Sequence, residues 1–208
     1  MARKSREDAL KTREALLDAA GRLFREKGVS RTTLDDIARE AGCTRGALYW
    51  HFRNKVELFG ELVDRVQLPL FDEAATVATR CADPIASLRS FCVEAVRDIE
   101  RNPQSRELLD ILNHRCEFVA ELIEVEQRQQ ARARFFIEQH AAAFRRGHGL
   151  GLIRRDLDPD LCAVMLHALI VGLIRTWLMA ADGTPLGTRC TAAIDLLLQG
   201  FGYATPPP

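Results

Sequence analysis

Apolar residues recur along this chain at spacings of three and four, and no stretch alternates with period two, so the pattern predicts helices throughout. The first spans about Glu7 to Lys27, with Leu16, Leu17, Ala20, Leu23 and Phe24 as its buried stripe. Gly28 ends it, and Val29 tucks under the next segment. Two short helices and a tight turn follow. Thr33 is placed to cap the first, with Asp36 three residues on as an acidic partner for the orphan N–H groups. Leu34, Ile37, Ala38 and Ala41 form its apolar stripe, and Gly42 suits the left-handed conformation that ends a helix. Thr44 caps the second, where Leu48 and Phe52 return to the same core. The opposite face carries Arg45, Gly46, Tyr49, Trp50 and His51, a basic, aromatic and small-residue surface. The pattern is a helix-turn-helix offering its second helix to a groove.

Asn54 and Glu57 form a capping box for a fourth helix through Leu58, Phe59, Leu62, Val63 and Val66, which Pro69 is expected to kink or interrupt. Asp83-Pro84, Asn102-Pro103, Asp158-Pro159 and Thr184-Pro185 each set a capping residue before a proline at the first helical position. They predict helices at roughly 84–101, 103–114, 159–181 and 186–200. Between them a long helix from about Glu117 to Arg146 holds Phe118, Leu122, Val125, Phe136, Ile137, His140 and Phe144. Gly147-His-Gly-Leu-Gly151 should end it in a loop; because these glycines follow a helix rather than a strand, they do not read as a phosphate cradle. The expected fold is all-α with about nine helices: a three-helix helix-turn-helix domain at 1–55, a helical ligand-binding and dimerisation domain at 56–203, and a disordered tail at 204–208.

The stretch Leu161 to Trp177 is hydrophobic on nearly every side, and the last helix aligns Ile194, Leu197, Leu198 and Phe201. A body this small does not easily cover both. A four-helix bundle built from the helices near 159–181 and 186–200 of two copies would cover them, and a two-fold dimer would present two recognition helices to one duplex. A purely intramolecular core is the alternative.

Charge sharpens this picture. The chain has 29 basic and 29 acidic residues, yet residues 1–55 hold 13 Lys and Arg against 8 Asp and Glu, and the remainder holds 16 against 21. A basic head on an acidic body suits DNA binding by the head alone. Arg3, Lys4 and Arg6 lie along phosphates or form a mobile basic tail. Six cysteines occur singly, at 43, 81, 92, 116, 162 and 190, as small buried thiols in a reducing compartment would. The charged N-terminus has no apolar signal segment after it, and the charge-free run Leu161 to Ile174 is too short for a bilayer. A cytoplasmic protein without a membrane partner, metal or cofactor is expected.

The run Gly28-Val-Ser-Arg-Thr-Thr-Leu-Asp-Asp-Ile-Ala-Arg-Glu-Ala-Gly-Cys-Thr-Arg-Gly-Ala-Leu-Tyr-Trp-His-Phe-Arg-Asn-Lys55 closely resembles the head of TetR-family transcriptional repressors. Ala2-Arg-Lys, Ile111-Leu-Asn-His-Arg-Cys-Glu-Phe118, Asp156-Leu-Asp-Pro159 and Gly172-Leu-Ile-Arg-Thr-Trp-Leu178 resemble the AcrR branch. The resemblance implies a homodimeric repressor of a multidrug efflux operon, bound to a palindromic double-stranded operator and released by small lipophilic effectors. It implies that Arg45 and Gly46 face base edges, where an arginine fork matches guanine O6 and N7. It also implies that Thr33, Thr44, Tyr49, His51 and Lys55 grip phosphates and position the head. Trp50 joins this DNA-facing set or packs on the body, and His51 has a structural cap as its alternative.

The resemblance places an effector pocket among the body helices, with Gln67, Phe71, Phe91, Ile111, Asn113, Phe136, His140, Met165, Ile170 and Trp177 as candidate walls. Asn113 and His140 stand out as polar groups needing a partner if buried. Branch members can present a glutamate where Gln67 stands, with Glu73 as a nearby substitute. A thiol sensor using Cys43 or Cys116 is the alternative regulatory reading. An enzymatic body finds no nucleophile–base pair, zinc spacing or nucleotide loop to support it. A protein-interaction adaptor would also use the apolar last helices.

Overall fold

The computed structural model describes the backbone of residues 2–77, 82–116, 122–180 and 185–204, and within these all side chains except those of 2–6, 66–73, 75–77 and 115. Among the described residues there are nine α-helices and no strand. They are α1 (Ala2–Lys27), α2 (Leu34–Glu40), α3 (Arg45–His51), α4 (Lys55–Val77), α5 (Pro84–Arg101), α6 (Pro103–Asp110), α7 (Ile123–Gly149), α8 (Pro159–Met179) and α9 (Leu186–Gly200). A single π-helical turn, Ile111–Arg115, follows α6. Two compact units divide the chain: residues 1–67 with 107–129, and residues 68–106 with 130–208.

The first unit is built around α1. Its Leu16, Leu17, Ala20 and Phe24 meet Ile37 and Ala38 of α2, Leu48 of α3, Phe52, and Leu58, Phe59 and Val63 of α4 in one core. Phe24 and Phe59 pack edge to face with centroids 5.4 Å apart, an arrangement the ring quadrupoles favour. Leu108, Ile111, Leu122 and Val125 belong to the same cluster. Val29 is fully buried, as its place after Gly28 predicts.

In the second unit α5 and α9 pack together, with α8 beside α9. Ile85, Leu88 and Cys92 meet Phe144, Leu166, Ile194, Leu198 and Phe201. Polar clamps fix the pairing. Arg89 donates to both carboxylate oxygens of Asp195, at 2.5 and 2.7 Å, and the Tyr203 hydroxyl donates to Asp83 at 2.7 Å. Burial and the adjoining Asp83 carboxylate push the Tyr203 phenol up to about 12.

Several helix limits depart from the sequence pattern. The α1 helix starts at Ala2, five residues early; the side chains of Arg3, Lys4 and Arg6 lie outside the described residues. The α4 helix runs through Pro69 without ending: a proline removes one hydrogen bond, and the turns on either side carry the helix on. The helix expected at 103–114 stops at Asp110 and passes into the π-helical turn. The glycines at 147 and 149 stay helical, so the expected loop begins later, at Gly151 with φ +74°. Close packing favours glycine at 147, because a Cβ there would lie 2.6 Å from Ile85 Cδ1 and the buried Ile85 side chain would have to shift. Pro185 sits at the N-cap of α9 rather than inside it. Glu100 caps that helix from α5, accepting from Leu186 N and Gly187 N at 2.9 Å each. Thr184 and Phe118 lie outside the described residues.

The apolar last helices are covered unequally. Ile194, Leu198 and Phe201 of the predicted α9 stripe are buried within the second unit, because α5 supplies the matching surface. On α8, Cys162, Ala163 and Leu166 face inward, while Leu161, Val164, Met165, Val171 and Met179 are exposed. At 21 residues α8 is long and apolar enough to cross a membrane by length and composition alone, longer than its charge-free run because Asp160 and Arg175 lie inside its ends.

Candidate nucleic-acid interface

The site is a pair of seven-residue helices held at a fixed angle by capping chemistry. The Thr33 hydroxyl oxygen accepts from Asp36 N at 3.1 Å. The Asp36 carboxylate accepts from Thr33 N at 3.3 Å and from the Thr33 hydroxyl at 2.7 Å. These bonds hold the Asp36 carboxyl below the usual carboxylate range. At the other end of α2, Cys43 N donates to Ala38 O at 3.0 Å and Gly42 N to Arg39 O at 3.1 Å, the paired bonds of a helix C-cap that needs a left-handed residue. Gly42 supplies it, at φ +68°. Thr44 then caps α3, its hydroxyl oxygen accepting from Ala47 N at 3.2 Å.

So anchored, α3 buries Leu48 alone and its C-cap residue Phe52. Arg45, Gly46, Tyr49 and Trp50 are exposed. Trp50, at 75% exposure, is not a core residue. Its ring meets His51 edge to face at 4.7 Å. Burial and the nearby Arg13 charge lower the His51 pKa, which keeps its imidazole neutral at pH 7. Arg13 lies over the Phe52 ring at 5.3 Å and is ion-paired with Glu61. The Arg45 guanidinium carbon is 5.5 Å from the Tyr49 ring centroid, and Arg45 Nε is 3.1 Å from Asp35 Oδ1. The Tyr49 side chain and the Asp35 charge both raise the Arg45 pKa. Sequence reasoning missed Asp35. The signal was the Asp35-Asp36 pair itself: the capping box uses one carboxylate and leaves the other over.

Two candidate phosphate contacts already have internal work. Lys55 Nζ donates to Ser30 O and Thr32 O at 3.1 and 3.2 Å, clasping the loop before α2. Thr33 gives both its N–H and its hydroxyl to Asp36. Gly46 is the opposite case. A Cβ there would meet only Thr44 Oγ1, at 4.0 Å, so the protein's own packing does not demand glycine.

The candidate effector residues fall in both units. Gln67, Ile111 and Asn113 belong to the first, and Phe71, Phe91, Phe136, His140, Met165, Ile170 and Trp177 to the second. The side chains of Gln67, Phe71 and Glu73 lie outside the described residues. Ile111 is fully buried in the first core. Asn113, expected as a buried polar group, is instead exposed on the π-helical turn and donates to Leu109 O at 2.8 Å. Met165 lies on the exposed face of α8. Phe91, Phe136, Ile170 and Trp177 are half-buried, and Arg106 lies over the Trp177 ring at 4.6 Å. His140 is buried, with Nδ1 unpartnered and Nε2 3.9 Å from Cys92 Sγ. Burial and neighbouring His167 push it down to about 4, so it is a neutral imidazole.

The thiol-sensor alternative loses support at both cysteines. Burial raises the Cys43 thiol and pushes Cys116 up to about 11, which disfavours the reactive thiolate. Among the described residues no cluster of three or more His, Cys, Asp or Glu has the arrangement of a metal site. Cys92, Cys162 and Cys190 are buried and free, and Cys81 lies outside the described residues.

Residues 16–62 match "Bacterial regulatory proteins, tetR family", and residues 83–203 match "MAATS-type transcriptional repressor, C-terminal region". The chain is 36% identical over 195 residues to the HTH-type transcriptional regulator TtgR of Pseudomonas putida, covering 89% of each protein. The crystal structure of NalD, the secondary repressor of the MexAB-OprM multidrug efflux pump in Pseudomonas aeruginosa, superposes with a TM-score of 0.85. It is 40% identical and covers 93% of this chain and 97% of its own. The SmeT–triclosan complex superposes with a TM-score of 0.82 at 34% identity, covering 95% of this chain and 98% of that one. SmeT is the repressor of the Stenotrophomonas maltophilia efflux pump SmeDEF. With both of its regions matched, the chain is a member of the TetR family of bacterial transcriptional regulators.

Proposed function

We propose that this protein is a homodimeric, ligand-responsive repressor of a multidrug efflux operon, with α3 reading the major groove of a palindromic operator. The observation that carries the reading is the outer face of α3. Glycine in a helix costs about 0.5–1 kcal/mol relative to alanine. Gly46 incurs that cost where nothing in its own fold requires it. A surface that must let a partner's edge approach the backbone accounts for the choice. Arg45 beside it offers a planar fork for guanine O6 and N7, and Tyr49, Trp50 and Thr44 flank it for phosphate and sugar contacts.

Dimerisation covers the exposed apolar stripe of α8 and sets two α3 helices about one DNA turn apart, roughly 34–36 Å. NalD and SmeT are repressors of multidrug efflux pumps, and one SmeT structure is a complex with triclosan, a lipophilic phenol. The effector binds the apolar body of the second unit, where His140 offers a neutral nitrogen to a hydroxyl or amide. Release requires that the effector bind the DNA-incompetent conformation more tightly, since equal affinity for both shifts nothing.

The test is fluorescence anisotropy on a duplex that the protein selects from a randomised library, with triclosan and a panel of lipophilic cations added in turn. Tight binding released by several of these compounds is expected. A complex that none of them disturbs would remove the drug-responsive part of the proposal, and failure to select any duplex would remove all of it.

A further inference from the structure

Arg45 is held before any DNA arrives. Asp35, in the first turn of α2, lies 3.1 Å from its Nε, and the Tyr49 ring centroid is 5.5 Å from the guanidinium carbon. Both neighbours are solvent-accessible, so neither is needed to fill a core. Asp36, the adjacent carboxylate, completes the capping box and holds α2, which leaves Asp35 with no part in that cap. The closest approach to Asp35 is through Nε, on the stem side of the guanidinium, and the two terminal amino groups are the pair that matches guanine O6 and N7.

We infer that Asp35 is a positioning and specificity-determining residue, orienting the Arg45 fork toward base edges and penalising its use on phosphates. The inference rests on the reading of Arg45 as the base-contacting residue. Two effects follow from the placement. A long side chain with one preset geometry loses less freedom on docking, so the contact with the right base is strengthened. A carboxylate on the DNA-facing surface repels the phosphate backbone, and that repulsion falls on every sequence alike. Together they widen the gap between operator and bulk DNA, with the net cost in affinity falling on bulk DNA.

The experiment measures binding of the full-length protein to two labelled duplexes: one selected by the wild type from a randomised library, the other a scramble of it. Asp35→Ala and Asp35→Asn are expected to bind the selected duplex about threefold more weakly and the scramble about threefold more tightly, so that the ratio falls about tenfold. Asp35→Glu, which keeps the charge, should retain most of the ratio. In an Arg45→Ala background, Asp35→Ala should no longer weaken the selected duplex and should only tighten binding to both. Parallel weakening on both duplexes with a lowered Tm would mean that Asp35 only supports α2, and would overturn the inference. An unchanged ratio in Asp35→Ala beside a collapsed ratio in Arg45→Ala would overturn it while leaving the Arg45 reading intact. An unchanged ratio in Arg45→Ala would overturn both.

Discussion

Helices α3 and α8 both leave much of their surface uncovered, but they do so in opposite chemistries. On α3 the exposed residues include Arg45, Tyr49 and Trp50, all carrying hydrogen-bond donors. On α8 they include Leu161, Val164, Met165, Val171 and Met179, which helical spacing brings onto one face. Single exposed apolar residues are ordinary on a protein surface, whereas a contiguous stripe needs a cover. Under the proposed function the two helices take different kinds of partner: a polyanion with readable edges for α3, and a second apolar helix face for α8. The proposed reading needs both, because helix-turn-helix dimers bind two half-sites and a second copy doubles the contact of one short recognition helix.

The largest effect expected from breaking this arrangement comes from α8. Val171→Glu puts a charge on the exposed stripe, where it leaves the monomer folded but opposes pairing. Sedimentation should show a monomer, and affinity for the selected duplex should fall by about 10²–10⁴-fold as the two heads lose their linkage. A Val171→Glu protein that stays dimeric would move the interface elsewhere.

A pH titration sharpens the contrast between surface and interior. His140 is neutral when folded, with a pKa near 4 against 6.5 for the free side chain. As pH falls below 6.5 the unfolded chain takes up a proton that the folded chain refuses until about 4, so stability falls with pH across that window. The loss is on the order of 3 kcal/mol when complete. The depressed carboxyls of Asp36 and Asp156 act below 3.8, whereas burial also lowers His51 and His167, which add to the loss within the window. Urea midpoints at fixed protein concentration between pH 7.5 and 4 should show the loss in the wild type and a shallower one in His140→Leu.

On α3, Arg45→Ala should cost about ten- to a hundredfold in preference for the selected duplex over its scramble, with the dimer and its Tm unchanged. Gly46→Ala is the subtlest. It should stabilise the head by about 0.5–1 kcal/mol yet weaken operator binding. A variant that gains stability and keeps full affinity would show that α3 needs no close approach there.

Legibility in the sequence followed the range of the interactions. The cap of α2 by Thr33 and Asp36, the turn at Gly42 and the starts of α5, α6 and α8 at their prolines are set within four residues, and the pattern shows them. The ends that the pattern misplaces depend on distant partners. Ile85 packs on Gly147 across the second unit, and Glu100 caps α9 from 86 residues away. The site divides in the same way. The face of α3 is local and readable, whereas the Asp35–Arg45 pair spans a turn whose angle the sequence does not state. For the effector residues, periodicity separated apolar from polar positions but not wall from core. Ile111 lies inside the first core, and Asn113 is turned outward by the π-helical geometry.

The most direct test of the account is sedimentation velocity of the labelled selected duplex with a small excess of protein at physiological salt. Free protein should sediment as a dimer, and complexes should hold an even number of protomers on each selected duplex, with none on the scramble. A monomer in free solution that binds one per duplex, with equal affinity for both sequences, would contradict it.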